Sequence, residues 1–343
     1  MRGADTIATP MWWFDDLCQA TDECVPPLPA DVPAATFDLD DGHTDFLEVD
    51  QEGAVLIGRD GVSIGLLEVA AADVSIIGLD VDTTVVHPTG NGTYFEANRM
   101  GQLFVNGADD VIVRGNLIRP YEDGPDAIQI KTFDEDQPVR LLVEANVIGP
   151  QPTDGEAHTD CVQILGGDDL RFSRNVILPC GDKAFQIRSG AGGTVGSVLI
   201  ESTVMFECPG DMDGCDGIHA IVWASTPEIH LELRHNTIRG SVGLSSSGST
   251  IDPGANFEAV GNIASSLPCT DGVRDNLTVT EAACEGRGIS AEFPRFLDDS
   301  WMVGDLRPVD GEDLPVSAEP FGPALDGADS CAAPGYGAFT GCP

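Results

Sequence analysis

The sequence predicts an all-β parallel solenoid, and three observations predict it. Short apolar segments ending in Asn or Thr recur at 116, 146, 175, 203, 236 and 262, at spacings of 30, 29, 28, 33 and 26 residues. A second motif recurs between them as DAIQIK (126–131), DCVQIL (160–165), KAFQIR (183–188) and DGIHAI (216–221). Turn residues are abundant, with 40 Gly and 23 Pro, and no convincing amphipathic helix interrupts the pattern. Strand–turn units of this length bury an apolar face only by stacking on the next copy, which is the logic of a solenoid.

Each asparagine segment (VIVRGN, LLVEAN, LRFSRN, LELRHN and FEAVGN, with VLIEST filling one slot) alternates apolar and polar residues as a half-buried strand does. In the second motif Ile128/Ile130, Val162/Ile164, Phe185/Ile187 and Ile218/Ala220 are expected to point inward. Gln129/Lys131, Gln163/Leu165, Gln186/Arg188 and His219/Ile221 are expected to point outward. Stacked coils then form one outward column of Gln129, Gln163, Gln186 and His219, and a second of Lys131, Leu165, Arg188 and Ile221, at about 4.8 Å per coil. Residues 1–35, with Trp12, Trp13 and Phe14, are expected to cap the open first coil; 36–265 form the solenoid and 266–343 an irregular segment packed on it.

The ten cysteines fall into five neighbouring pairs with gaps of 6, 19, 7, 15 and 11 residues, which reads as local disulfides and an oxidising compartment. No apolar h-region follows Met1, so a secreted protein whose leader has been removed is expected. With 57 Asp+Glu against 17 Lys+Arg the formal charge is −40. That charge excludes nucleic-acid binding through phosphate neutralisation, and no apolar run is long enough for membrane insertion. A monomer is expected. Lys131 and Lys183 are the only lysines, and both lie in the second motif.

These repeats resemble the right-handed parallel β-helix of pectin-lyase-like proteins over about residues 45–265. In that fold, asparagines at a bend stack as a ladder. The segments DLRP (305–308), GPALDGA (322–328) and GYGAF (335–339) are similar to the tail that closes many secreted bacterial β-helix proteins. The resemblance implies a polysaccharide substrate and, in the lyase branch, β-elimination on a uronic-acid glycan, often with Ca²⁺. Lys131 or Lys183 is then the candidate base, His158 a base or acid, and Arg188 the partner of a substrate carboxylate. Gln129, Gln163, Gln186 and His219 would bind hydroxyls, and Asp126, Asp160 and Asp216 in the acidic turns would hold Ca²⁺ through hard oxygen ligands. A Lys and an Arg one coil apart, as in alginate- and chondroitin-degrading members, is not reproduced, because Leu165 follows Lys131 and Arg188 lies two coils away. The glycoside-hydrolase branch is represented only by carboxylates that could pair across coils, without its Gly-His-Gly or Arg-Ile-Lys motifs. The rival from another class is a non-catalytic β-helix, such as an adhesin or carbohydrate-binding surface protein.

Overall fold

The computed structural model describes residues 34–37, 39, 41–58, 61–120, 126–151, 159–190, 193–206, 222–225, 229–244, 256–274, 276–278 and 288–290. Among these the chain forms 26 strands and no helix. The expected cap (to residue 33) and the segment after 290 lie outside the described residues.

All the strand pairings are parallel and join successive coils, so the chain is a parallel β-helix. Its first face carries Gly42–Val49, Val62–Val69, Asp80–Val86, Arg99–Asn106, Ile128–Lys131, Val162–Ile164, Phe185–Ile187 and Val222–Ala224 in that order. A second face runs from Val55–Ile57 to Val273–Arg274. The third face begins where Arg99 and Met100 pair with Leu117 and Ile118, and continues through Val147–Ile148, Val176–Ile177 and Val204–Phe206. Early coils are short, with long strands on the first face. From residue 119 onward, connections inserted between third and first faces lengthen the coils and shorten the first-face strands to three or four residues. Parallel pairing runs past the expected boundary at 265, through Asn276–Thr278 to Gly288–Ser290.

The interior is a set of apolar stacks. Ile128, Val162, Phe185 and Val222 are in register and fully buried, and Ile130, Ile164, Ile187 and Ala224 form a second stack beside them. Phe172 meets Phe185 edge-to-face, with ring centroids 5.0 Å apart. In the fourth copy, Val222 and Ala224 take the inward places expected for Ile218 and Ala220, because Val222–Ala224 is the segment that pairs with Phe185–Ile187.

The bend between second and third faces is built from two residues per coil. The first has a left-handed φ, as at Ala97 (56°), Ala145 (55°), Arg174 (56°), Ser202 (48°) and His235 (52°), or is a glycine, as at Gly115 and Gly261. The second is a ladder residue: Asn98, Asn116, Asn146, Asn175, Thr203, Asn236, Asn262 and Asn276. The Oδ1 of Asn146 accepts the backbone N–H of Asn116 at 2.9 Å and its side-chain amide at 3.0 Å, while its own Nδ2 donates to the Val113 carbonyl at 2.9 Å. The backbone donors of the turn are thereby satisfied by the neighbouring rung, as buried backbone groups must be.

Replacing Asn146 by Ala strips partners from several buried groups, and a loss of about 3 kcal/mol or more is expected in denaturant unfolding. Ala145→Gly relieves a left-handed alanine and is expected to raise stability by about 0.5–1 kcal/mol in the same measurement.

Candidate functional site

On the first face, alternation turns every second side chain away from the apolar interior, and register makes columns of them, in which Gln129 is half-buried and Gln163 and Gln186 are buried. Gln129, Gln163 and Gln186 are aligned as expected. Their amides are joined: Gln129 Nε2 donates to Gln163 Oε1 at 3.0 Å, and Gln163 Nε2 to Gln186 Oε1 at 3.2 Å. Trp223, which sequence analysis overlooked, is the next member of the column. It holds the place expected for His219, which itself lies outside the described residues with His158 and Asp216. The signal was present in the alternation of Val222, Trp223 and Ala224, but DGIHAI imitates the motif four residues earlier.

One position beyond the strands, Leu165 N–H donates to the Ile130 carbonyl and Arg188 N–H to the Ile164 carbonyl. Lys131, Leu165 and Arg188 therefore form the expected second column, with Lys131 and Arg188 about 9.6 Å apart along the backbone stack. Lys131 is half-exposed and Arg188 exposed, and neither makes an ion pair among the described residues.

At the opposite end of these strands stands an acidic column. The Ala127 N–H donates to the Asp160 carbonyl and the Cys161 N–H to the Lys183 carbonyl, which aligns Asp126, Asp160 and Lys183. Lys183 thus sits about 16 Å along the strand direction from the level of Lys131, and the two lysines do not share a patch. Its ammonium lies 2.5 Å from Asp182 Oδ1 and 5.6 Å from the centre of the Trp223 ring. This ion pair removes Lys183 as a free base.

Asp126 and Asp160 are only 3% and 0% exposed. Asp126 Oδ1 accepts the Asp160 backbone N–H at 2.9 Å, Asp126 Oδ2 accepts from Gln129, and Asp160 Oδ2 accepts from Gln163 at 3.4 Å. Asp160 Oδ1 has no hydrogen-bond partner. Burial, reinforced by the neighbouring carboxylates of Asp126 and Asp182 and opposed by Lys183, pushes Asp160 up to about 7. Burial raises Asp126 as well. These carboxylates do not fit the expected Ca²⁺ role. Calcium takes about six to eight oxygens, whereas most of the oxygens here are engaged by amides, and among the described residues no three acidic, His or Cys side chains converge on an ion.

The Cys161–Cys180 disulfide, one of the five expected pairs, ties this column to the next coil, with Cα atoms 5.5 Å apart. Cys269 is also disulfide-bonded, and the other cysteines lie outside the described residues.

A solved pectate lyase, Pel9A, superposes on this architecture with a TM-score of 0.51 over 88% of this chain and 84% of that one, at 10% sequence identity. The fold is pectin-lyase-like. No family model matches the sequence, and no curated protein does. The likeness is therefore one of coil architecture, and it transfers no residue roles.

An Asp160→Asn variant isolates the buried proton. The folded protein holds it up to about pH 7, whereas the unfolded chain releases it near 3.8. Ionisation therefore penalises folding increasingly between those limits and fully above pH 7. The variant is expected to match the parent near pH 4 and to exceed its stability by roughly 4 kcal/mol at pH 8, read from urea unfolding across that range.

Proposed function

We propose that this protein is a polysaccharide-active β-helix protein that binds a uronic-acid-containing glycan along its first face and cleaves it by β-elimination. One observation carries the reading. In a chain of charge −40, most described basic side chains are tied to carboxylates, as Arg99, Arg114, Arg140, Arg171, Arg174 and Arg234 are. Among the described residues Lys131 and Arg188 are left without an ion pair, in one column beside the amide ladder, with the Arg188 charge acting at longer range on Asp126. Unpaired cations in a field of this sign gain most from an anionic ligand.

Both side chains are long enough to meet a sugar lying over the intervening Leu165. Arg188 would hold the carboxylate through its planar donor fork. Lys131, in its neutral amine form, would take the proton from C5 and become an ammonium; the released electrons would form the C4–C5 double bond as the bond from C4 to the leaving oxygen breaks. The leaving oxygen then takes its proton from water, because His158 is two residues from Asp160 and so belongs to the opposite strand end from Lys131. The glutamines offer no free hydroxyl-binding groups, since their amides already bond one another and Gln163 and Gln186 are buried. Hydrolysis by Asp126 and Asp160 is disfavoured by their burial. The Cys161–Cys180 bridge fits an extracellular site of action.

Ultraviolet absorbance of unsaturated products from polygalacturonate, alginate, hyaluronan, chondroitin and ulvan, with and without Ca²⁺, tests the reading. Lys131→Ala is expected to lower kcat/KM by about 10²–10⁴ and Arg188→Ala by about 10²–10³. No product from any substrate would overturn elimination. Retention of the protein on a polysaccharide gel without product would favour the second reading, a binding module, which the ion-paired Lys183 and the self-bonded ladder support.

A further inference from the structure

The column that holds Lys131 and Arg188 continues toward the early coils. Lys131 pairs with Asn106, and Val86 pairs with Val105, so His87, Asn106, Lys131, Leu165 and Arg188 follow one another, one to a coil. His87 is tied to Glu68 of the preceding coil, its Nε2 lying 3.2 Å from Glu68 Oε2, and the two side chains are 30% and 31% exposed. That single contact leaves His87 Nδ1 and Glu68 Oε1 without a hydrogen bond among the described residues, and neither atom is buried. Residues 61–120 are described throughout, and around the pair they set the half-buried Ala70 and Val85 and the buried Asn106. The charges nearest to it are acidic: Glu48 is in register with Glu68, and Asp50 follows Val49 on the same strand end.

We infer that Glu68 and His87 form a further sugar subsite, which takes two neighbouring hydroxyls of a glycan residue lying beyond the one over Lys131, on the side away from Arg188. The inference rests on the reading of Lys131 and Arg188 given above. Glu68 Oε1 accepts a hydrogen bond from one hydroxyl. His87 Nδ1 meets the other, as acceptor when the imidazole is neutral and as donor when it is protonated, while Glu68 fixes the ring through Nε2. Two open polar atoms side by side fit a vicinal diol, and Glu48, Asp50 and Glu68 together turn a carboxylate away from this place. His87 and Lys131 stand two coils, about 9.6 Å, apart along the column. A sugar over Lys131 therefore does not reach the pair, and the contact requires a longer glycan.

The test compares disaccharides with hexasaccharides of galacturonate and of hyaluronan, through KM or, where no turnover occurs, Kd. His87→Ala is expected to weaken hexasaccharide binding roughly tenfold, and Glu68→Gln several-fold, with the loss confined to the longer substrate and to KM rather than kcat. A loss of fold would weaken both lengths alike. Labelling of the parent protein by diethyl pyrocarbonate, mapped by peptide mass, needs no variant: bound hexasaccharide is expected to protect His87 and bound disaccharide to leave it reactive. An unprotected His87, unchanged hexasaccharide binding by His87→Ala, or equal losses at both lengths would each overturn the subsite while leaving the roles of Lys131 and Arg188 standing. Failure of the parent to bind either hexasaccharide would overturn both.

Discussion

Every coil depends on the hydrogen bonds it makes to the coil on either side. A single coil exposes all its backbone donors and half its apolar side chains, so neither its strands nor its core exists alone. The buried asparagine ladder is the most demanding part of this arrangement. Each rung turns the chain through a left-handed residue at a buried bend, and the strain at Ala97, Ala145 and Arg174 is offset by amide bonds that only the neighbouring coil can accept. This constraint locks register, and register in turn decides which side chains meet.

The site is a consequence of that register. Because one residue aligns with its counterpart in the next coil, three glutamines become a bonded ladder, and Lys131 and Arg188 enter one column, on either side of Leu165, although 57 positions separate them in the chain. At the other strand end the same alignment stacks Asp126, Asp160 and Lys183. Like charges stacked in a buried place cannot all remain ionised. Asp160 responds by retaining a proton to about pH 7, and Lys183 by pairing with Asp182. The acidity of the chain thus acts differently at the two ends of one short strand. It consumes Lys183 at one end and leaves Lys131 and Arg188 unpaired at the other.

The repeats from 116 to 262 were legible because each rung ends in a residue the bend requires, and the inward stacks from Ile128 to Ile187 followed from strict alternation. The earlier rung at Asn98 and the later one at Asn276 went unread. The first coils are shorter, so their spacing breaks the period. The Cys161–Cys180 pair was readable from proximity in the chain. Trp223 was not, since a long connection precedes it and a closer imitation of the motif lies within that connection.

The sequence by itself determined the solenoid and, for the copies at 126–131, 160–165 and 183–188, the inward residues and the columns, because period-two alternation and a recurrent bend residue are local properties. Only the tertiary structure decided that Lys183 is tied to Asp182, that Asp126 and Asp160 are buried among amides, and that an indole completes the glutamine column. Those outcomes depend on inter-coil register across connections of variable length, and no local pattern encodes where a long connection returns to the sheet.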